Sequence, residues 1–387
     1  MNLLLVNYEY PPVGGGAANA TQALARVFDQ LGHRVVVLTS GLRGAAGMED
    51  EIGIRVHRLP VDRRQVDRAT QWEMAAFLRQ SCQMVLPLHQ QYRFDGAIAF
   101  FTIPSGPAVL RLNRLARTPY LVSLRGGDVP GHVPGLGLKH ILTRPLRRRV
   151  LRHAASVVAN SEGLAATSRA ADPISVRVIP NGVDCTLFHP ATNADARRPD
   201  QRLRLLFVGR VHQEKNLGIV LQQLARLPPA TRERFELQIA GDGAQRPELQ
   251  ALADRLGLSA QTRWLGWQPK EAVPALYRSA DALVNPSHYE GMPNVVLEAM
   301  ASGLPILASD VPGNRAVVAS GVTGTLFSLD RPDQLGTALT RFAADRSWGQ
   351  ALGCAGRKRV EAEFSWLKTA QSYLELLWPI PPVLRPS

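Results

Sequence analysis

The segment "ADALVNPSHYEGMPNVVLEAMASGLPILASD", residues 280–310, contains the pattern that decides the fold. Two short apolar runs, at 280–287 and 304–310, end in turn or polar residues, which is typical of buried strands. Between them, Pro293 suits the first turn of a helix, and the apolar residues that follow it recur at helical spacing. The segment therefore predicts a strand, a helix and a second strand, which is the repeating unit of a parallel sheet.

The same alternation of strand and helix patterns extends along the whole chain of 387 residues. Amphipathic helices are predicted at 19–32 and at 364–378. Further short apolar runs predict strands at 2–8, 33–40, 96–101, 119–126, 155–161, 203–209 and 234–243. Strands that alternate with helical segments favour parallel βαβ units, so the expected fold class is α/β.

A polar segment, "HPATNADARRPDQR" at 189–202, interrupts this alternation. It has two prolines and no periodicity, and the strand pattern restarts after it, which predicts an interdomain linker. We therefore expect two Rossmann-like domains, at 1–188 and 203–362, followed by a helical C-terminal segment at 363–387. Because ligands bind outside the carboxyl ends of parallel strands, functional residues are expected there.

The bulk composition favours a cytoplasmic globular protein. The three cysteines are far apart in the sequence, so neither a disulfide framework nor a zinc site is expected. The first residues, "MNLLLVNYEYPP", lack the features of a signal peptide, and no apolar run is long enough to span a bilayer. The net charge of +13 points towards an anionic partner without choosing among nucleic acid, membrane and small molecules.

Two loops carry residues that suit a phosphate ligand. In "YPPVGGGAANATQALA" (10–25), glycines between a strand and a helix let backbone amides approach a phosphate, although they could equally form only a turn. In "FVGRVHQEKNL" (207–217), Arg210 and Lys215 follow a strand end and could hold a diphosphate. The alternative for both cations is a solvated surface position.

The glutamates Glu290 and Glu298 lie on either side of a predicted helix N-terminus. Such a terminus offers amides to a phosphate, and the two carboxylates can accept hydrogen bonds from sugar hydroxyls on either side of it. Gly291 lets the backbone approach a ligand. An amphipathic helix with one capping and one exposed glutamate remains an alternative.

Together these segments resemble glycosyltransferase family 4, a large group of retaining enzymes with the GT-B fold. The resemblance covers nearly the whole chain. It rests on "PPVGGG" (11–16), "RVIPNGVD" (177–184), "FVGRVHQEKNL" (207–217), "IAGDG" (239–243) and "EGMPNVVLE" (290–298), the last with the E-x7-E signature. The order and spacing of the five segments are more specific than any one alone. The resemblance implies two Rossmann-like domains facing a central cleft and a C-terminal helix that crosses back to the N-terminal domain.

The resemblance also implies roles for individual residues. Arg210 and Lys215 would neutralise the donor diphosphate, Glu298 would bind the ribose hydroxyls, and Glu290 would contact the transferred sugar. Further donor-binding residues would be Gly15, Gly16, Asn181, Gly209, Gly241, Gly243, Gly291, Met292, Pro293 and Asn294. Neither a metal ion nor another cofactor is expected, because cations and helix dipoles take that role in this family.

One segment departs from the family pattern. Where many members have a His-Gly-x-Asp sequence, this chain reads "SLRGGDVPG" (123–131), which places Arg125 at the position of the histidine. An arginine effectively cannot exchange protons near neutral pH, so Arg125 would stabilise a phosphate or hold an acidic acceptor group. Asp128 would orient a sugar or acceptor hydroxyl.

The expected partners are a nucleotide-diphosphate sugar, with uracil as the base, and a glycan, glycolipid or lipid-linked acceptor of the cell envelope. The basic segment "LKHILTRPLRRRVLRHAA" (138–155) suggests an amphipathic surface for the anionic inner face of a membrane, with a solvated helix as the alternative. Its arginines are Arg144, Arg147, Arg148, Arg149 and Arg152.

Three other classes of protein compete with a glycosyltransferase. Another GT-B enzyme, such as a nucleotide-sugar epimerase or a phosphorylase, would need different acid and base residues, and the E-x7-E segment argues against it. A non-catalytic nucleic-acid-binding protein would fit the charge, but aromatic stacking platforms and a recognisable module are missing, so no nucleic acid is expected. A nicotinamide dehydrogenase would need the Rossmann fingerprint, which is absent.

Overall fold

The computed structural model describes residues 1–42, 46–66, 69–191 and 202–378. The chain divides into two compact units, Met1–Gly182 together with the chain from Trp366 onwards, and Val183–Ser365. Most of the predicted linker at 189–202, and the end of the predicted C-terminal segment after residue 378, lie outside the described residues.

The first unit is built on an eight-stranded sheet with the order β3-β4-β2-β1-β5-β6-β7-β8. Its strands are β1 (Asn2–Val6), β2 (Arg34–Ser40), β3 (Gly47–Glu51), β4 (Ile54–Leu59), β5 (Gly96–Phe100), β6 (Tyr120–Leu124), β7 (Ser156–Ala159) and β8 (Arg177–Val178). Its first five helices are α1 (Gly16–Gln30), α2 (Gln71–Tyr92), α3 (Gly106–Ala116), α4 (Gly137–His153) and α5 (Glu162–Ala171). The paired strands run parallel except β3, which is antiparallel to β4.

The second unit has a six-stranded parallel sheet with the order β11-β10-β9-β12-β13-β14. Its strands are β9 (Leu203–Val208), β10 (Phe235–Ala240), β11 (Thr262–Gly266), β12 (Ala282–Asn285), β13 (Ile306–Ser309) and β14 (Gly324–Phe327). Its helices are α6 (Gly218–Arg226), α7 (Pro229–Arg232), α8 (Arg246–Arg255), α9 (Val273–Ser279), α10 (Asn294–Ala301), α11 (Pro312–Val317), α12 (Asp333–Ala344) and α13 (Arg346–Glu363). This is the strand order of a doubly wound Rossmann sheet, so the predicted α/β class is confirmed.

The opening segment folds as its pattern predicts, with one correction. The two apolar runs form β12 and β13, which pair in parallel, and α10 connects them. Val296, Leu297 and Met300 are fully buried. Pro293, however, lies immediately before α10 rather than within its first turn, because its ψ angle of 107° is extended. Its carbonyl accepts a hydrogen bond of 3.1 Å from the Val296 amide.

The last helix, α14 (Trp366–Leu377), belongs to the first unit, although the chain reaches it only after completing the second. The Tyr373 hydroxyl lies 2.7 Å from the Ser123 hydroxyl at the end of β6. The Thr369 hydroxyl donates to the carbonyl oxygen of Pro180 at 3.0 Å. These buried hydrogen bonds fix α14 to the sheet, since an unpaired hydroxyl there would be costly. The predicted return of the C-terminal helix to the N-terminal domain is confirmed.

Candidate functional site

In the second unit, the carboxyl ends of β9 and β12 meet at the topological switch point of the sheet. These two strands are neighbours, while the strands that follow each in the sequence lie on opposite sides. The loop after β9 comprises residues 209–217, and the loop after β12 comprises residues 286–293. The switch point is where doubly wound sheets bind ligands, so these two loops form the candidate site.

The two loops are joined by an ion pair between Lys215 and Glu290. Lys215 ends a 3₁₀ turn, Gln213–Lys215, and its ammonium nitrogen lies 2.6 Å from Glu290 Oε1. The pair is only partly open to water, with 20% of the lysine side chain and 11% of the glutamate side chain exposed. The His288 amide also donates to the Glu214 carbonyl at 2.9 Å. The structure thus brings together two predicted site residues that are 75 positions apart in the sequence.

Arg210 is less constrained than Lys215. Its guanidinium lies 3.2 Å from the Glu214 carboxylate, and 45% of its side chain is exposed. An exposed pair of this kind contributes little to stability, so the arginine can leave it for a ligand at small cost. Arg210 pairs with Glu214, whereas Glu290 pairs with Lys215.

A buried polar network positions Glu290. The Ser287 hydroxyl lies 2.7 Å from Glu290 Oε1. Behind it, the Asn285 amide donates to Asn314 Oδ1 at 2.9 Å, and the Asn314 amide donates to the Ser309 carbonyl at 2.8 Å. All four supporting residues are nearly inaccessible, and a satisfied network of this kind is rigid. Sequence reasoning missed these residues, although polar side chains at the ends of apolar strands were the available signal.

Gly313 is a second feature that the sequence reasoning missed. It lies in the first turn of α11, where an added Cβ would overlap the carbonyl oxygen and Cβ of Glu290. Only glycine lets α11 pack this closely against the backbone of Glu290. Gly313 therefore belongs to the support of the Lys215–Glu290 pair.

Glu298, in the middle of α10, is held by Tyr277 of α9. The tyrosine hydroxyl donates to Glu298 Oε2 at 2.8 Å. Burial raises the pKa of Glu298, and this hydrogen bond opposes the shift only in part. Among the described residues, Glu298 Oε1 has no hydrogen-bond partner, so it can accept a ligand hydroxyl. Tyr277 gave no signal in the sequence, because it lies on another helix.

Three predicted donor-binding glycines also have a structural role. The Gly209 amide donates to the Ala240 carbonyl at 3.0 Å, which brings the loops after β9 and β10 together. A Cβ at Gly241, whose φ is +146°, would overlap the Gly209 carbonyl, and one at Gly243 would overlap the Val211 carbonyl. The close approach of the two loops therefore accounts for Gly241 and Gly243 without a ligand.

The residues between Glu290 and α10 divide into two kinds. The side chains of Met292 and Pro293 are buried, and Met292 packs in the apolar core of the second unit. Gly291 and Asn294 are partly exposed. Pro293, the residue before α10, makes no side-chain capping hydrogen bond, and the positive end of the helix dipole suits an anionic ligand.

In the first unit, the glycine loop leads into α1. Gly15 precedes this 15-residue helix without a side-chain cap, and both Gly15 and Gly16 are exposed. The position that requires glycine is the preceding one. Gly14 has a φ of +102°, and a Cβ there would overlap the side chains of Glu9 and Ala18. The exposed helix end suits an anion, as the sequence predicts, but Gly14 shapes the loop.

Arg125, Asp128 and Asn181 lie together at the carboxyl edge of the first sheet. One Arg125 nitrogen donates to Asn181 Oδ1 at 2.8 Å. The Asp128 carboxylate accepts four hydrogen bonds, from the amide and hydroxyl of Thr102 and from the amides of Arg125 and Gly126. A carboxylate has about four acceptor positions, so Asp128 clamps two loops rather than orienting a substrate hydroxyl. This corrects the role predicted for Asp128.

The basic segment forms α4, and two of its arginines face inwards. Arg147 and Arg148 each donate to the Asp172 carboxylate at 2.7 Å, and Arg147 is only 4% exposed. Burial alone would raise the pKa of Asp172, but the two hydrogen bonds outweigh it and lower that pKa. Both arginines are therefore structural, which corrects their predicted place on a membrane-facing surface. Arg144, Arg149 and Arg152 are exposed.

None of the helices in ranges 1–42, 46–66, 69–191 and 202–378 is both long and apolar enough to cross a membrane. Within the same part of the chain, no three His, Cys, Asp or Glu side chains are grouped so that they could hold a metal ion.

Comparison with known families identifies the class of protein. Residues 190–359 match the family described as Glycosyl transferases group 1, and residues 15–182 match the Glycosyl transferase 4-like domain. The chain therefore belongs to the group 1, or GT4-type, glycosyltransferases. This confirms the resemblance to the family.

Individual relatives agree with this family. D-inositol 3-phosphate glycosyltransferase of Geodermatophilus obscurus is 36% identical over 52% of this chain and 47% of its own length. Glycogen synthase of Mycobacterium tuberculosis is 29% identical over 97% of this chain and 94% of its own length. The chain spans about half the length of the first curated relatives that it matches.

Solved structures of the same fold cover nearly the whole chain. Sucrose-phosphate synthase from Thermosynechococcus elongatus superimposes with a TM-score of 0.84 at 25% identity, over 97% of this chain and 98% of that one. Anabaena HepE, solved in complex with UDP and glucose, gives a TM-score of 0.76 at 20% identity, over 98% and 100% of the two chains. The predicted GT-B fold class is confirmed.

Proposed function

We propose that this protein is a retaining glycosyltransferase that uses a nucleotide-diphosphate sugar, with UDP as the nucleotide, and a glycan, glycolipid or lipid-linked acceptor. The Lys215–Glu290 pair at the switch point of the second sheet is the observation that carries the proposal. It places a cation for a diphosphate beside a carboxylate for a sugar hydroxyl. Family membership supplies the reaction class, and the UDP bound to HepE makes UDP the first nucleotide to test.

The donor would bind across the two loops of the second unit. Its diphosphate would take Lys215 and Arg210 as counter-charges, together with the N-terminus of α10. Glu290 neutralises Lys215 in the structure, so the diphosphate competes with a carboxylate for this cation. The Oε1 atom of Glu298 would accept a hydrogen bond from a ribose hydroxyl.

In the proposed reaction, the bond between the sugar C1 and the leaving phosphate oxygen breaks as the acceptor oxygen attacks from the same face. The new bond between C1 and the acceptor oxygen forms on the face that the diphosphate leaves, so the configuration at C1 is retained. The acceptor hydroxyl gives its proton to the leaving phosphate oxygen. Lys215 and Arg210 stabilise the negative charge that develops on the diphosphate. Such preorganised electrostatic stabilisation is commonly the largest single contribution to catalysis.

Nucleotide binding provides the first test. UDP or its sugar conjugates at about 100 times their Kd should stabilise the protein by about 2.7 kcal/mol, which raises Tm by several degrees. Because lysine and arginine supply the counter-charge, EDTA should leave both the shift and the transfer activity unchanged. GDP and ADP conjugates test the base, and NAD serves as the negative control. No stabilisation by any nucleotide diphosphate would refute the donor site.

Product analysis separates the rival functions. A glycosyltransferase releases the nucleoside diphosphate and forms a glycoside. A nucleotide-sugar epimerase instead yields a nucleotide sugar in which the configuration of the sugar has changed. A phosphorylase requires inorganic phosphate or produces a sugar 1-phosphate. A binding protein would be stabilised by the nucleotide without turning over the sugar conjugate.

A membrane-associated acceptor is favoured by the exposed surface of α4. Leu138, Ile141 and Leu142 are 68–73% exposed and share one helical face. The exposed arginines Arg144 and Arg149 lie on the same helix. Exposed apolar residues beside cations complement an anionic bilayer. The apolar side chains enter the membrane interface, and the cations bind lipid phosphates. We therefore propose that this surface of α4 binds anionic lipids at the inner face of a membrane.

Vesicle flotation tests this assignment. The protein should float with vesicles that contain about 30% phosphatidylglycerol, and much less with pure phosphatidylcholine, because the attraction depends on lipid charge. A double variant, Ile141→Asn with Leu142→Asn, should lose most of this binding. Val322→Asn, at an apolar position in the second unit that is 60% exposed, is the matched control. Equal flotation with both lipids, or unchanged flotation of the double variant, would rule out the surface.

A further inference from the structure

We infer that Arg125 forms a subsite for an anionic group, a carboxylate or a phosphate, carried by the sugar portion of a substrate. The inference deepens the proposed function and rests on it for the reaction. It assigns a substrate class that the Lys215–Glu290 pair does not define, because that pair lies in the second unit and Arg125 in the first.

Arg125 lies where a parallel sheet binds its ligands. It is the first residue after β6, at the carboxyl edge of the sheet in the first unit. The neighbouring strands β5 and β7 run parallel to β6, so the segments that follow them begin at the same edge. The guanidinium lies over the Phe100 ring, 4.9 Å from its centre, so one face of the fork is covered by an apolar group. This distance is within the range of a cation–π contact, which holds the guanidinium against the ring.

Hydrogen bonding leaves most of the Arg125 fork unused. Arginine has five N–H donors, and the described residues provide one side-chain acceptor, the Oδ1 atom of Asn181. The Nε atom is buried and has no hydrogen-bond partner in this part of the chain. A neutral amide oxygen also brings no counter-charge. Buried arginines in proteins are normally paired with a carboxylate, as Arg147 of α4 is paired with Asp172.

The carboxylate of Asp128, in the same loop, does not fill this role. Its acceptor positions are taken by Thr102 and by the backbone amides of the Arg125 loop. Among the described residues, neither Arg125 nor the partly buried Lys139 of α4 forms an ion pair with a carboxylate. The Lys139 ammonium instead contacts the Met74 sulfur at 3.5 Å. Burial lowers the pKa of Arg125, the shift expected of a cation without enough counter-charge.

The chemistry of the fork defines the ligand. The planar guanidinium matches a carboxylate or phosphate with two parallel hydrogen bonds, and it discriminates against a neutral hydroxyl. Two sources could supply the anion. One is a donor whose sugar is a uronic acid, and the other is an acceptor sugar that carries a phosphate. Both place the same kind of group on Arg125, and separate experimental arms distinguish them.

The donor arm compares UDP-glucuronic acid with UDP-glucose in calorimetric binding to the intact protein. The acceptor arm compares glucose 6-phosphate with methyl glucoside, with and without saturating UDP. In one of the two arms, the anionic ligand should bind the wild type at least about tenfold more tightly than its neutral partner. The arm that shows this preference identifies the source of the anion.

Variants assign the preference to Arg125. Arg125→Gln should reduce it to about twofold or less, and Arg125→Lys should retain part of it, because an ammonium keeps the charge but not the fork. Arg111→Gln removes an exposed arginine from α3 of the same unit and should keep the full preference. The Tm of each variant shows whether the protein remains folded. Its UDP affinity shows whether the second unit still binds the nucleotide.

The outcomes separate the two proposals. If UDP binds but neither anionic ligand is preferred, or if Arg125→Gln keeps the preference, the anionic subsite is wrong and the proposed function stands. If UDP does not bind but glucose 6-phosphate binds in an Arg125-dependent manner, the proposed function fails and the subsite stands. If Arg111→Gln loses as much of the preference for the anionic ligand as Arg125→Gln does, the preference comes from the overall charge of the protein. That result would overturn the subsite.

Discussion

Replacing Lys215 by alanine is expected to lower kcat by about 10²–10³-fold and to weaken UDP binding. The ammonium supplies positive charge where the leaving diphosphate becomes more negative, and losing one such contact typically costs about 2.7–4 kcal/mol of transition-state stabilisation. The alanine also leaves the Glu290 carboxylate, whose side chain is only 11% exposed, without its counter-charge and facing the diphosphate. Steady-state kinetics and UDP calorimetry measure the two effects.

Lys358→Ala is the matched control for this prediction. Lys358 is exposed on α13, so its removal changes the net charge of the second unit by the same amount without touching the site. It should have wild-type kcat and UDP affinity. A Lys215→Ala enzyme with near-normal turnover and an unchanged Tm would remove Lys215 from the mechanism.

Replacing Glu290 by glutamine is expected to give a different pattern: kcat falls by at least about 100-fold, while UDP binds as tightly as before or more tightly. Turnover falls because a charged hydrogen-bond acceptor for the transferred sugar is lost. UDP binding is preserved because Lys215 no longer has to leave a carboxylate at 2.6 Å to reach the diphosphate. The nearly isosteric amide keeps the contact with Ser287, so the loop should hold its shape.

Glu248→Gln, at an exposed position on α8, controls for the loss of one negative charge. The double variant Lys215→Ala with Glu290→Gln provides a further check. Because the two side chains form one ion pair, their effects should be clearly less than additive. A loss of UDP affinity in Glu290→Gln as large as that in Lys215→Ala would mean that Glu290 acts in nucleotide binding rather than on the transferred sugar.

The fold could be read from the sequence where burial left a simple pattern. The strands β1, β9, β12 and β13 are almost entirely apolar and inaccessible, so each appears as a short hydrophobic run between turn residues. The β3–β4 hairpin was missed for the opposite reason. β3 reads "GMEDE" and is largely exposed, and it is held by pairing with β4 rather than by burial of its own side chains.

The candidate site divides along a similar line. The sequence identified Lys215, Glu290, Glu298 and Arg125 as separate residues, because each follows a strand end or flanks a helix start within a recognisable segment. It could not identify Ser287, Asn314 and Tyr277, whose importance comes from contacts across the fold. It also assigned Arg147 to the surface, since a basic run does not reveal that Asp172, the residue after α5, pairs with this arginine in the interior.

The sequence by itself therefore determined the α/β class, the family, and the residue types that a diphosphate sugar requires, because hydrophobic periodicity and local motif spacing are properties of short segments. The tertiary structure alone decided which charges meet. The carboxyl ends of parallel strands lie at one edge of a sheet although they come from distant parts of the chain, so Lys215 reaches Glu290. In the first unit, Asp128 accepts hydrogen bonds from backbone amides, whereas the Nε atom of Arg125 has no partner among the described residues. Whether a charged side chain is paired or left for a ligand depends on neighbours that only folding supplies.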